Sequence, residues 1–196
     1  MNEGLILEAA LDLFSRFGFR GTTLDQIALR AQMSKPNLLY YFTSKEDIYE
    51  AVLEKTLTEW LAPLTGLDED GEPIEEIGKY VAAKIALSER NPKASRLFAT
   101  EILQGAPSVA GVLSGPLKKI VDRKARTIRK WIAQGRLAPV DPHHLIFMIW
   151  AVTQHYADFE VQIRAVLGTG AMGRKHFDAA ETTIMAVLME GLRPRN

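Results

Sequence analysis

The chain has no cysteine among its 196 residues, which excludes a disulfide framework and any thiolate metal site and suits a reducing, cytoplasmic setting. It has no net charge either, because 24 Lys and Arg offset 24 Asp and Glu. A neutral total argues at first against a polyanionic partner, since phosphate binding is mainly electrostatic. The longest apolar run, Leu145 to Val152, falls far short of the ~18 residues that a membrane span needs. The opening residues Met1-Asn2-Glu3-Gly4-Leu5 carry no basic region and no cleavage-like site, so no signal peptide is expected. Also missing are a glycine-rich phosphate loop, a Gly-x-Ser-x-Gly elbow and a paired metal-ligand motif, which points away from an enzyme. His143 and His144 lack a histidine or carboxylate mate one turn on, so neither a metal nor a cofactor is expected. Strand-like alternation, internal repeats and low-complexity linkers are absent as well.

What is present is a globular composition, 47% apolar and 24% charged, in a length that accommodates one compact domain and a smaller second one. The charge is unevenly placed. From Arg16 to Lys45 the cations Arg16, Arg20, Arg30, Lys35 and Lys45 face Asp25 alone, five against one. Acids frame this segment, with Glu3, Glu8 and Asp12 before it and Glu46, Asp47, Glu50 and Glu54 after it.

Helical spacing accounts for the whole chain and predicts an all-α fold of about nine helices. Ile6, Ala9, Ala10, Leu13, Phe14 and Phe17 mark the first helix, which Gly18 stops. Thr22 or Thr23 caps a short second helix, and Ser34 caps a third from Lys35 to Tyr41 with Pro36 in its first turn. Ser44 with Asp47 opens a long fourth helix that Pro63 is expected to end. Further helices start at Pro73, at Asn91-Pro92, after the break at Gly115-Pro116, at Asp141-Pro142 and near Arg174. The helix from Pro142 is expected to continue to about Leu167. The division predicted is residues 1–48 as a DNA-binding head and 49–196 as a ligand-binding and dimerisation domain.

The head carries the chemistry. Two short helices joined by a tight turn over Thr23–Phe42 share Ile27, Ala28, Ala31, Met33 and Leu38 as a small core. Lys35, Pro36, Asn37 and Tyr40 then fall on the outer side of the second of these helices, the one that a helix-turn-helix lays in the major groove. Thr22, Thr23, Tyr41 and Lys45 are placed to hold phosphates. Read on pattern alone, the same segment also fits a helical hairpin with surface polar residues.

The stretches AALDLFSRFGFRGTTLDQIA, AQMSKPNLLYYF and SKEDIYEAV together resemble the DNA-binding domain of the TetR family of bacterial regulators. The resemblance implies a homodimer on double-stranded operator DNA, and it carries Thr23, Gln26, Lys35, Asn37, Tyr40, Tyr41 and Lys45 over as DNA contacts. Two features depart from the family pattern. Gln32 replaces the usual turn glycine, so it either adopts a left-handed conformation at ~1 kcal/mol or reshapes the turn. Met1–Gly4, ahead of the first apolar positions, carry no basic residue of the kind that a family arm often supplies.

Farther along, WLAPL, NPKASRLFATEILQGAP, LAPVDPHHLIFMIWAVTQHYADF and the closing GLRPR resemble the branch of the family that regulates pyrimidine utilisation. This implies an effector of the uracil or thymine type. Independently, Trp150, Gln154 and Asp158 share one face of an apolar helix, where buried polar groups need partners. A carboxamide can pair with a pyrimidine edge and an indole can stack on its face. Phe98 and Phe147 are candidate apolar walls, with Tyr156 beside them. Lys84 or Arg96 fits either a carbonyl contact or the surface. His155 reads better as a satisfied core or interface residue than as a ligand contact, and for Gln154 and Asp158 spacing alone leaves both roles open. Ile146, Ile149, Val152, Phe159 and Ile163, with Ile184, Val187, Leu188 and Leu192, suggest a four-helix dimer interface. Two other readings remain at this stage: a TetR-type regulator of a different hydrophobic or aromatic ligand, and a helical scaffold that has lost DNA binding.

Overall fold

The computed structural model describes residues 2–194, and every regular element among them is helical. In order these are α1 (Asn2–Phe17), α2 (Leu24–Arg30), α3 (Lys35–Tyr41), α4 (Lys45–Thr65), α5 (Pro73–Arg90) and α6 (Pro92–Leu103). A single turn, α7 (Ala110–Val112), runs through a widened π-type turn at Leu113–Leu117 into α8 (Lys118–Ala133). The chain closes with α9 (Pro142–Asp158), α10 (Glu160–Leu167) and α11 (Arg174–Leu192). Pro116 sits within the widened turn, where its missing N–H removes a ladder bond.

Two of the expected helix ends move. Pro63 does not stop α4, which runs on to Thr65 and ends where the Gly66 N–H meets the Ala62 carbonyl at 2.9 Å. The segment from Pro142 to Leu167 is two helices rather than one. Phe159 leaves the helical region (φ −112°, ψ 27°) and bends the axis, although its N–H still bonds to the His155 carbonyl at 2.9 Å. The His155 and Phe159 rings stack across the bend with centroids 4.9 Å apart. His155 is exposed, not a core residue.

The chain divides into two compact units, Met1–Thr58 with Lys93–Gly111, and Glu59–Pro92 with Val112–Asn196. In the first, Ile6, Ala10, Phe14, Ile27, Ala28, Leu38, Ile48 and Leu53 are buried. In the second, α5 packs between α9 and α11, and α8 lies along α9. Ile77, Val81, Ile85, Ile128, Trp131, Leu145, Ile149, Phe177 and Leu188 fill that core. Burial of each such side chain contributes ~1.5–3 kcal/mol, the main term that holds the helices together.

Candidate nucleic-acid interface and buried polar seam

The α2–α3 corner is built by reciprocal caps. Thr23 Oγ1 accepts the Gln26 N–H at 3.2 Å while Gln26 Oε1 accepts the Thr23 N–H at 2.8 Å. At the other end of α2 the Met33 N–H returns to the Ala28 carbonyl at 3.0 Å, and Gln32 sits at φ 57°. Gln32 therefore takes the left-handed conformation at the position after a helix end that glycine usually fills. Ser34 Oγ accepts the Asn37 N–H at 3.3 Å and starts α3. Leu38 is fully buried where α2 and α3 meet.

With Leu38 turned inward, α3 presents Lys35, Pro36, Asn37, Tyr40 and Tyr41 to solvent. Tyr40 is 82% exposed, an unusual position for a phenol without a partner surface. Lys35 Nζ meets Asp25 at 3.0 Å, and the Tyr41 hydroxyl accepts the Asn2 side-chain N–H at 3.0 Å. Both are exposed contacts that a phosphate can replace at little cost.

Thr22 and Lys45 are placed differently from the phosphate-holding positions that the sequence suggests. Thr22 is 0% exposed and its hydroxyl donates to the Gly18 carbonyl at 2.9 Å. Lys45 Nζ donates to the Phe19 and Thr22 carbonyls, both at 2.8 Å, and lies 4.3 Å over the Phe19 ring. The pair locks the connection between α1 and α2 and, with it, the attitude of α2. This depends on the fold of the connection, and nothing in local spacing announces it.

The basic segment is also less cationic than its composition implies. Asp12 draws Arg16 and Arg30, each at 3.1 Å, and Lys93 of α6 at 2.5 Å. The Lys93 hydrogen bond is the main reason the Asp12 carboxyl lies below its ordinary range, with burial acting against it. In the same unit the Tyr49 hydroxyl donates to Glu101 at 3.1 Å, and Glu101 also accepts the Ser108 N–H at 2.7 Å. Burial pushes the Tyr49 hydroxyl up, and the Glu101 charge adds to this. Neither role is visible locally: Asp12 is one of three acids on α1, and Glu101, the single acid of α6, finds its phenol partner 52 residues away.

In the second unit a polar seam runs between α5 and α9. Tyr80, Lys84 and Ser88 stand four residues apart on α5, and Trp150, Gln154 and Asp158 stand four apart on α9. Trp150 Nε1 donates to the Tyr80 hydroxyl at 2.6 Å, and the Ser88 hydroxyl donates to the Thr153 carbonyl at 2.8 Å. Lys84 is 2% exposed, which resolves its open placement in favour of the interior. Its ammonium lies 3.6 Å from the centre of the Trp60 ring. Burial pushes the Lys84 pKa well below the usual lysine range, and the Asp158 charge works in the opposite direction. The Trp60 indole N–H is buried with no hydrogen-bond acceptor among the described residues.

Of the five candidate ligand residues, four lie on α9: Phe147 is exposed, and Trp150, Gln154 and Asp158 are half-buried. The Phe147 and Trp150 rings are 5.7 Å apart and tilted by 51°. Phe98 is half-buried on α6, in the other unit. The unmet Trp60 N–H has no counterpart among the ligand candidates that the sequence offers. Lys84, which the sequence left open between a carbonyl contact and the surface, lies on the buried face of α5 with Ile77, Val81, Ile85 and Ser88. No described helix is long and apolar enough to cross a membrane.

Comparison with known proteins agrees with this architecture. Residues 6–52 match the family described as bacterial regulatory proteins, tetR family, and residues 53–195 match the YcdC-like protein C-terminal region. The HTH-type transcriptional regulator RutR of Escherichia coli K12 is 50% identical over 190 residues, covering 97% of this chain and 90% of the relative. Among solved structures, the ketosteroid transcriptional regulator KstR2 of Mycobacterium tuberculosis superposes with a TM-score of 0.75 at 18% identity, over 100% of this chain and 96% of that one. AibR in complex with isovaleryl coenzyme A and operator DNA gives 0.73 at 19% identity, over 95% and 97%. These two share the fold, and the relatives named are transcriptional regulators rather than enzymes. The chain belongs to the TetR family of bacterial transcriptional regulators.

Proposed function

We propose that this regulator is a cytoplasmic homodimeric repressor that binds a palindromic operator through α3 and is released by a pyrimidine base such as uracil or thymine. In the head, Lys35, Pro36, Asn37 and Tyr40 read or border the major groove. Thr23, Gln26 and Tyr41 hold the phosphate backbone, with the α2 N-terminus supplying N–H donors. Thr22 and Lys45 act one step back, by fixing the connection on which α2 rests.

The observation that carries the effector reading is the unmet Trp60 N–H beside the buried Lys84 ammonium. A buried donor without an acceptor costs ~1–3 kcal/mol, and a ring carbonyl of the effector would remove that deficit. Gln154 supplies a donor and an acceptor for a pyrimidine edge, and Trp150 supplies a flat apolar wall. Trp60 lies on α4, the same helix that begins at Lys45 beside the head. A ligand that draws on Trp60 therefore acts on a continuous helix whose first turns carry Lys45 and Tyr49. Differential affinity for the two head positions then suffices to shift the equilibrium off DNA.

The dimer reading draws on the exposed apolar side chains Phe159, Val161, Val166, Leu167 and Val187. Beside them α9, α10 and α11 line a groove of about 590 Å³ with Ile163, Met172 and Ala179. Ile146, Ile149, Ile184, Leu188 and Leu192, suggested by spacing as interface residues, are instead buried in the core of the unit.

The test is selection of bound duplexes from a random pool, followed by gel shift of the selected duplex with and without uracil or thymine. Enrichment of a palindrome whose complex dissolves on adding the base supports the reading. A palindrome released by neither base contradicts the effector, and the absence of any enriched sequence contradicts operator binding.

A further inference from the structure

Helix α8 carries a concentration of positive charge that the head does not explain. Between Lys118 and Ala133 it holds Lys118, Lys119, Arg123, Lys124, Arg126, Arg129 and Lys130 against Asp122 alone, in a chain whose total charge is zero. The opposite face of the helix, with Val121, Ala125, Ile128 and Trp131, is buried. Lys119, Arg123, Arg126 and Lys130 are separated by four, three and four residues, so they form one row along the solvent side. The row is roughly 16 Å long at 1.5 Å per residue.

The neighbouring acids do not neutralise it. Glu69, Asp70 and Glu72, in the loop before α5, approach Lys124, Lys130 and Arg136, at 3.8, 3.8 and 3.0 Å. Lys118 pairs with Asp122. Lys119, Arg123 and Arg126 are exposed and make no ion pair among the described residues. Three unpaired cations in a row, backed by a rigid helix, form a surface complementary to an evenly spaced polyanion. A strand of B-DNA presents one phosphate per 3.4 Å of rise, roughly five over the length of the row.

We propose that the α8 row is a second, sequence-independent contact with the phosphate backbone of duplex DNA, separate from the head. This rests on the reading of the protein as DNA-binding. The contact adds affinity and salt dependence without adding base discrimination, because it meets phosphates and not base edges. In a protein with no net charge it also supplies a local field for approach to DNA.

The experiment measures the affinity of the full chain for a random-sequence duplex of roughly 60 base pairs as salt is raised over about 50 to 200 mM. A Lys119→Gln, Arg123→Gln, Arg126→Gln variant is compared with the parent, with a Lys35→Ala, Tyr40→Ala head variant, and with Arg123→Lys, Arg126→Lys. Losing three phosphate contacts is expected to lower the slope of log affinity against log salt by about 2 to 3, at ~0.9 per contact. The lysine-retaining variant is expected to keep the parental slope, which separates charge from packing. An unchanged slope in the glutamine variant, with binding lost in the head variant, would overturn the α8 contact while leaving DNA binding intact. No DNA binding by the parent protein would overturn both.

Discussion

The Lys84 ammonium and the Trp60 ring form a buried stack, 3.6 Å from nitrogen to ring centre, and the indole N–H has no acceptor among the described residues. A cation held inside a helical core is unfavourable for folding unless it is strongly paired. Lys84→Met is therefore expected to leave stability unchanged or raise it by about 1–2 kcal/mol, while effector affinity falls. The pH dependence gives a second readout. Because burial lowers the folded-state pKa of Lys84, the unfolded chain binds the proton more tightly. Stability contributed by this group thus rises with pH from the folded value up to the unfolded value near ~10.4, and is level above it. Urea unfolding of the parent should show this rise on the alkaline side, and Lys84→Met should flatten it. The buried Tyr49 and Tyr80 hydroxyls, whose pKa values burial raises, oppose it only above ~10.

Gln32 is a left-handed non-glycine residue at the turn of the head. Gln32→Gly is expected to stabilise the protein by about 0.5–1 kcal/mol, because glycine adopts this conformation without a Cβ penalty. The midpoint of urea unfolding measures it. A loss of stability would mean that the Gln32 side chain supports the turn in some way other than its backbone.

Lys35 and Lys45 should separate cleanly in experiment. Lys45→Met removes two hydrogen bonds to the Phe19 and Thr22 carbonyls, with an expected loss of ~1–3 kcal/mol in stability. Lys35→Ala breaks only an exposed pair with Asp25 and should change stability by less than ~0.5 kcal/mol. It should instead weaken DNA binding and lower the salt slope by about one contact. Unfolding curves and anisotropy titrations on the two variants check the contrast.

Asp12 joins α1, α2 and α6 through Arg16, Arg30 and Lys93. Its lowered carboxyl pKa means that its contribution is complete above the unfolded value of ~3.9 and is lost as pH falls through the folded value. Asp12→Asn should reduce stability at neutral pH and weaken the acid dependence in that window. Equal acid sensitivity in both proteins would show that Asp12 is not the group responsible.

The helical skeleton was legible because caps and breakers are local. Thr23 with Gln26, Ser34 with Asn37, and Pro36, Pro73 and Pro142 in first turns are written in adjacent residues. The outward set on α3 was legible too, once Leu38 was assigned inward. What escaped were residues whose role depends on distant chain. Lys45 reaches back 26 residues to Phe19, Asp12 meets Lys93 across 81, and Tyr49 meets Glu101 across 52. The bend at Phe159 carries neither proline nor glycine, so no breaker marked it. The unmet Trp60 N–H depends on what the fold places around the indole, which no local spacing encodes.

The most direct test of the regulator as an effector-released repressor is calorimetry of uracil and thymine on the intact protein and on Gln154→Ala. The expected result is saturable binding by the parent that weakens about 10- to 100-fold in the variant, the loss of ~1–3 kcal/mol that removal of one paired amide implies. Absence of binding by the parent, or equal binding by the variant, would contradict the placement of a pyrimidine against Gln154 and Trp60.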